Sequence, residues 1–271
     1  MHPIRRAYRS LVKTEERWFR CDTSGSSADI LRVFAAPIRL TALQCKALDT
    51  LVIDLCKSDE ALWEQVDKDT RYDIRRAERD GVQVRSDVET GTDWLTLFKA
   101  DYEQLRRRKS LDVLRTWQIE ELVARGALSA STSHDASGAI LTWHVYVVSA
   151  ERARLLHSVT RLNDAADAGM RAMIGRANRH HHWRDILRFR DEGKREYDLG
   201  GIYRGTEDNA KKTISDFKSQ FGGRPVTVYD ATIALTWRGR LGLMAAERVR
   251  SLGAAFRKAR APADTRAELR P

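Results

Sequence analysis

The 271-residue sequence has no apolar run approaching the roughly 18 residues that a membrane-spanning helix needs. It has three cysteines, Cys21, Cys45 and Cys56, an odd number without C-x-x-C spacing. This pattern argues against a disulfide framework and against a zinc site. The basic start of the chain reaches only Leu11 and Val12 before charged residues follow, so we expect no signal peptide and a cytoplasmic location.

Most catalytic signatures are also missing: the G-x-S-x-G of hydrolases, the H-E-x-x-H of zincins, the Walker phosphate loop and the dinucleotide motif. The run His180-His181-His182 suggests a metal site. Successive helix positions point about 100° apart, however, so three adjacent imidazoles cannot meet at one ion. We predict no metal site and a solvated or partly packed helix surface for this run. His144 lies in an apolar segment and is interpreted as a satisfied sheet histidine that can also face a substrate cleft.

The composition is that of a globular protein, with 42% hydrophobic and 32% charged residues. Lys and Arg number 48 against 38 Asp and Glu, a net charge of +10, and much of this surplus follows Arg238. A basic C-terminal tail attracts phosphate backbones or acidic membrane surfaces. A solvated tail that aids solubility is the alternative.

Periodicity predicts an α/β chain, with strands at 31–41 and 47–55 and with Ser58 capping a helix. A basic helix follows near 71–80, then helices at 92–105 and 116–125, the former ending in the cations 106–109. A meander of β-rich runs precedes a long helix at 165–193 with a possible break near Asn178. The last predicted elements are a strand at 195–199, a helix capped by Thr206 and extending to Gln220, and a strand at 225–230.

The segment REYDLGGIYRGTEDNAKKTISDFKSQFGG is the most informative. In its strand Glu196 and Asp198 share one face, and the glycine pair that follows lets a ligand approach the backbone. In its helix Lys218 lies beside an apolar stripe that includes Phe217. An ammonium group there can meet a carbonyl oxygen that gains negative charge. A lysine that merely extends from a helix boundary into water is the alternative.

Two motifs resemble the Fem family of peptidoglycan-bridge aminoacyltransferases, a branch of the GNAT acyltransferases. They are RYDIRRAERDGVQV at 71–84 and YDLGGI at 197–202 with FKSQFGG at 217–223. The resemblance covers about 49–229. It implies an α/β (α+β) fold with a GNAT-like mixed sheet flanked by helices. The complete transferase domain would span 84–235 and a shortened GNAT-like subdomain with the charged linking helix 1–83, leaving 236–271 as a basic tail.

The resemblance also implies transfer of an aminoacyl group from aminoacyl-tRNA to the amine of a small molecule or cell-envelope precursor. Lys218 would stabilise the tetrahedral oxyanion, with the backbone of Phe217 in the same region, and Asp198 is the candidate for orienting or deprotonating the amine. The predicted substrate contacts are Tyr197, Gly200, Gly201, Tyr203, Arg204 and His144. The predicted tRNA phosphate contacts are Arg75, Arg76, Arg107, Arg108 and the basic tail.

Two other functions are consistent with these residues. An acyl-CoA-dependent N-acyltransferase acting on an amino sugar would use acetyl-CoA or another acyl-CoA. Residues 161–169, however, do not fit the GNAT pyrophosphate loop, which favours tRNA as donor, and no bound cofactor is expected. A non-catalytic basic protein that binds RNA or a membrane surface is the third possibility. The intact pairs Phe217-Lys218 and Gly200-Gly201 count against it.

Overall fold

The computed structural model describes residues 4–8, 11–86, 88, 91, 93–109, 111–161 and 167–260, with the backbone alone for 5–8 and 249–260. The strands are β1 Ile4–Tyr8, β2 Val12–Trp18, β3 Ile30–Ala36, β4 Gln44–Asp54, β5 Gln83–Ser86, β6 Leu128–His134, β7 Ile140–Val148, β8 Arg152–Thr160, β9 Glu196–Gly201 and β10 Arg224–Ala234. The helices are α1 Asp59–Glu64, α2 Lys68–Arg79, α3 Trp94–Lys109, α4 Thr116–Ala124, α5 Ala168–Asp191, α6 Asn209–Ser219 and α7 Trp237–Arg260.

The described chain forms two compact units, one from residues 48–228 and one from residues 4–47 with 229–260. In the larger unit the strand order is β4-β9-β8-β7-β6-β5, and neighbouring strands are antiparallel except for β8 and β9, which are parallel. In the smaller unit the order is β1-β2-β3-β10, with β2 parallel to β3. The subdomain limits implied by the family resemblance stay a prediction, because these units describe packing alone.

The core of the larger unit lies between its sheet and helices α1, α2 and α5. Leu62, Ile74 and Phe189 come from the three helices in that order and are fully buried. Each such side chain contributes about 1.5–3 kcal/mol through removal of apolar surface from water. The predicted N-cap Ser58 is confirmed, since its hydroxyl accepts a hydrogen bond from Ala61 N, and Asp67 caps α2 in the same way. These two caps fix the first residues of α1 and α2.

The parallel pair β8–β9 leads to the site. Its register runs from Arg152 opposite Glu196 to Arg154 opposite Asp198. On its other side β8 pairs with β7, and the register shift between Leu155 and His157 leaves Leu156 as a bulge. The ends of β8 and β9 therefore depart from regular pairing within a few residues of Gly200.

Two sequence predictions about secondary structure were wrong, and two strands were missed. The N-cap of α6 is Asp208 rather than Thr206, because the Asp208 carboxylate accepts from Lys211 N. Helix α5 continues through Asn178, whose side chain is held by His144 Nε2 at 3.0 Å. Strands β1 and β2 were not predicted, because β2 buries Glu15 beside Arg17 and so lacks the expected alternation of polar and apolar residues.

The basic tail forms helix α7 from Trp237 to Arg260, and residues 261–271 lie outside the described part of the chain. Gly239 lets this helix approach the turn before β3, since a Cβ there would meet Asp29 O at 2.1 Å. Among the described helices, none combines the length and apolar character needed to cross a membrane.

Candidate active site

The ammonium group of Lys218 lies at the end of β9. Lys218 occupies the last turn of α6 and donates a hydrogen bond from Nζ to Gly201 O at 2.6 Å. Burial, and then the nearby Arg154 guanidinium, lowers the pKa of Lys218 from 10.5 to about 8, whereas Asp198 raises it. The helix that carries Phe217 and Lys218 thus returns to the end of the strand that carries the glycine pair.

Asp198 fixes the end of β9 through its side-chain contacts. Its carboxylate is fully buried and accepts hydrogen bonds from the Thr50 hydroxyl, from Gly200 N at 2.8 Å and from Arg154 Nη1 at 2.5 Å. Arg152 Nη1 lies 3.9 Å away. The charge is therefore paired and hydrogen-bonded, as a buried carboxylate must be. These contacts fix the backbone that carries the glycine pair.

Gly200 provides the conformation that brings the lysine close. Its φ is +78°, in the left-handed region that favours glycine. A Cβ at this position would lie 3.2 Å from Leu155 O and 3.8 Å from Lys218 Nζ. The absence of a side chain thus lets the backbone of β9 approach Leu155 O and the Lys218 ammonium group closely.

Phe217 fixes α6 against the core. Its half-buried ring packs on the main cluster, with ring centroids 5.5 Å from Phe221 and 5.7 Å from His182. The Arg179 guanidinium lies over the same ring at 5.1 Å. Since α6 buries none of its residues completely, Phe217 and the following Phe221 supply most of its anchorage.

The prediction of a solvated or partly packed surface for the histidine run was wrong. His180, His181 and His182 are all buried, because this half of α5 is enclosed by the sheet and by α2. Strand hydroxyls satisfy two of the rings: Thr142 bonds His181 Nδ1 at 2.7 Å, and Tyr197 bonds His182 Nδ1 at 2.8 Å. Burial, followed by the neighbouring His144, holds the pKa of His181 and of His182 well below the usual value.

These rings belong to a network centred on Asp185. The Asp185 carboxylate accepts from Tyr146 OH at 2.7 Å and from Ser131 Oγ at 2.9 Å, and it contacts His144 Nδ1 at 2.9 Å. Because Tyr146 donates to Asp185, the Tyr197 hydroxyl donates to Tyr146. That leaves the Tyr197 oxygen to accept from His182 Nδ1. A directed chain of hydrogen bonds therefore runs from His182 to Asp185.

The same cluster is where a metal ion would find ligands. One ligand atom each of His144, His181 and Asp185 lies within 4.8 Å of the others. The Asp185 oxygen nearest the two rings already accepts from Ser131 and Tyr146. The Ser131 and Tyr146 hydroxyls already satisfy this carboxylate oxygen by hydrogen bonding. A metal ion bound there would have to displace both hydrogen bonds.

Tyr197 and His144, both predicted as substrate contacts, belong to this buried network and are fully buried. Tyr203 and Arg204 follow β9 directly. Tyr203 N donates to Ser215 Oγ at 2.7 Å, and Arg204 pairs with Asp49 at 3.1 Å. The structure thus brings together Asp198, Gly200, Gly201, Phe217 and Lys218. Tyr197 and His144 are instead enclosed between the sheet and α5, where they bond to residues of that helix.

The predicted phosphate contacts are exposed cations on α2 and α3. Arg75 lies over the Trp63 ring at 5.3 Å, and Arg76 pairs with Asp80 at 3.0 Å. On α3 Arg107 pairs with Glu103 at 3.2 Å, and Arg108 is exposed beside it. These four side chains belong to other helices than the one that carries Lys218.

Four residues of the site and its network were not predicted from the sequence: Arg154, Thr50, Asp185 and Tyr146. Arg154 and Thr50 touch Asp198 only through strand pairing between distant segments. The alternation of arginines in RARLL could have indicated that one face of β8 is cationic. The i, i+4 spacing of His181 and Asp185 was a weak indication that their side chains lie close together on α5.

Comparison with known proteins gives the fold. No protein-family model matches the sequence, and no curated protein matches it. Among solved structures, the chain is similar to the crystal structure of FemX, with a TM-score of 0.60 and 11% identity over 81% of each chain. It is also similar to the C-terminal domain of a putative lysylphosphatidylglycerol synthetase from Agrobacterium fabrum, with a TM-score of 0.50 and 14% identity over 80% of this chain and 71% of that one. The chain therefore shares the fold of FemX, the GNAT-like mixed sheet flanked by helices that the family resemblance predicted.

Proposed function

We propose that this protein is an acyltransferase that forms an amide, moving an aminoacyl group from aminoacyl-tRNA to an amine acceptor. The observation that carries the proposal is the hydrogen bond from the Lys218 ammonium group to Gly201 O, which holds this cation beside the glycine pair at the end of β9. An ammonium group has three donors, and Gly201 O takes one. The others are available to a carbonyl oxygen that becomes negative.

In the proposed reaction the acceptor nitrogen attacks the ester carbonyl carbon. A C–N bond forms and negative charge collects on the carbonyl oxygen, where Lys218 stabilises it. The C–O bond to the ribose then breaks, and the proton lost by the amine ends on the departing ribose oxygen. Because the ester is already activated, positioning and oxyanion stabilisation supply most of the required rate.

Asp198 has a positioning role in this proposal. Its lone pairs are taken by Thr50, Gly200 N and Arg154, which favours holding the strand end over removing a proton from the amine. Phe217 acts in a similar way, since its ring fixes the helix that carries Lys218. Both residues would thus act through the lysine and the glycine pair.

The proposed tRNA contacts are the exposed cations Arg75, Arg76, Arg107 and Arg108. Each phosphate contact would weaken with salt, and its loss would lower the salt slope of binding by about 1. Replacement of all four by Gln should raise the KM for charged tRNA and leave kcat nearly unchanged. A cytoplasmic location, where charged tRNA occurs, accompanies this proposal.

The test incubates the purified full chain with tRNA carrying a radiolabelled amino acid and a panel of amines, and follows amide formation. RNase treatment should abolish product, and Lys218→Met should reduce turnover by roughly 100-fold. Product from acetyl-CoA without tRNA would instead support the acyl-CoA-dependent N-acyltransferase. Consumption of neither donor would leave the non-catalytic binding protein.

A further inference from the structure

Helix α7 exposes an apolar stripe. Trp237, Leu241 and Met244 recur at the spacing i, i+4, i+7, which places them on one helix face. Their exposed fractions are 69%, 56% and 56%. Three large apolar side chains in a row on one exposed face are unusual, because scattered single ones are the norm.

The opposite face of α7 is already occupied. Gly239 is buried, and a Cβ there would meet Asp29 O at 2.1 Å. One turn on, a Cβ at Gly242 would lie 3.4 Å from the Val12 side chain. These glycines hold the helix against its own unit, so the stripe on the other side points to solvent.

Cations flank the stripe. Arg238 and Arg240 are both exposed, and the Arg238 guanidinium lies 5.9 Å from the Trp237 ring centroid. Over its whole length the helix has seven basic residues and one acidic residue. A helix with an exposed Trp-Leu-Met face bordered by arginines has the composition of helices that lie in the plane of an anionic membrane surface.

We infer that α7 docks on an anionic lipid surface, with Trp237, Leu241 and Met244 inserted among the headgroups and acyl chains and the flanking arginines on lipid phosphates. The positive charge of α7 favours an anionic lipid surface over a second copy of this chain. A second copy of the helix would bring like charges together. An RNA backbone would match the arginines and leave the leucine and methionine unburied.

The experiment is co-sedimentation of the full chain with vesicles of phosphatidylcholine alone or mixed equally with phosphatidylglycerol. Binding is expected to the mixed vesicles and to weaken with salt. Arg238→Gln with Arg240→Gln should weaken it by about 25-fold, roughly fivefold per arginine. Serine at all three stripe positions should weaken it by about tenfold or more.

The control variant is Leu97→Ser with Val113→Ser, which removes two exposed apolar side chains from the other unit and should leave binding unchanged. If the triple variant does not fold, Trp237→Ser alone takes its place. Equal binding to both vesicles, or undiminished binding by the stripe variant, would overturn the inference. Association of the chain with itself or with tRNA that depends on the stripe would do the same. Vesicle binding requires no turnover, so its failure is distinguishable from failure of the proposed acyl transfer.

Discussion

Arg154 Nη1 donates to Asp198 Oδ2 at 2.5 Å, so the register of the parallel pair β8–β9 ends on a salt bridge between two largely buried side chains. Water is mostly excluded here, and each charge depends on the other for compensation. The same Asp198 carboxylate holds Gly200 N. The salt bridge thus links the stability of the sheet to the geometry of the candidate active site.

Removing one partner of this pair should be costly. Arg154→Met leaves the Asp198 charge buried with only hydroxyl, amide and distant cationic partners. We expect the free energy of unfolding to fall by about 3 kcal/mol, measured by urea denaturation. Addition of Asp198→Asn to that variant should restore part of the loss, because the uncompensated charge is gone.

The matched control is Lys212→Met, which breaks the exposed pair of Lys212 with Asp216 on α6. Exposed pairs of this kind contribute less than about 1 kcal/mol. Equal losses for the two methionine variants would contradict the role given to Arg154.

Gly200→Ala should disturb both folding and catalysis. The left-handed conformation costs a non-glycine residue roughly 1–2 kcal/mol, and the contact with Leu155 O adds to that cost. Gly193→Ala is the control, since its φ is +79° and nothing lies within 4 Å of its Cβ. We expect lower stability in both variants and a fall in turnover in the Gly200 variant alone, measured at a temperature where both are folded.

The benefit of Lys218 to turnover should depend on pH. The ammonium form stabilises an oxyanion, and the pKa of Lys218 is about 8. The ratio of wild-type to Lys218→Met turnover should therefore fall from roughly 100 at about pH 7 towards 1 well above pH 8. Using a ratio cancels the titration of the acceptor amine, which both enzymes share. A ratio that stays constant across this range would contradict the oxyanion role.

The lowered pKa of Lys218 also makes the free energy of unfolding depend on pH. The folded pKa of Lys218 lies below the ordinary value of 10.5, so between about 8 and 10.5 the unfolded chain binds more protons. This group therefore makes the folded state more stable as the pH rises through that window, and Lys218→Met should remove this contribution.

His157 should make the protein sensitive to acid. Its ring packs against both Phe98 and Tyr102, and burial lowers the pKa of His157 from 6.5 to about 4. The unfolded chain binds more protons between these values, so stability falls as the pH drops from 6.5 to 4. His157→Phe should reduce the loss between about pH 7 and 5 by on the order of 2 kcal/mol. Urea midpoints at the two pH values provide the measurement, and an unchanged difference would contradict it.

Local pattern was enough to predict much of the fold. The meander, the Ser58 cap and the strand leading into the glycine pair follow from alternation, capping chemistry and turn residues, and all are present. The placement of Lys218 near Gly201 depended on the family resemblance, because spacing alone left a solvent-exposed lysine as an alternative. The GNAT-like fold, also predicted from that resemblance, is confirmed at the level of structure.

Features that depend on pairing between distant segments were not predictable in this way. Whether a histidine on α5 meets solvent or Thr142 is decided by what packs on each side of the helix, and helical periodicity describes only one side. In β2 the buried Glu15 looks like a solvent-facing residue until Arg17 and its neighbours are placed. The Arg154 contact with Asp198 likewise requires the parallel register of two strands.

The hydrogen-bond network around Asp185 ties α5 to the sheet. Sliding α5 along the sheet by one residue would separate that carboxylate from Ser131 and Tyr146, at a cost of several kcal/mol. The long helix and the sheet must therefore move together. Helix α6 has no fully buried side chain, and its main packing contact is the half-buried ring of Phe217. Local opening near the candidate site is therefore expected to involve α6 and residues 202–208 before it involves α5.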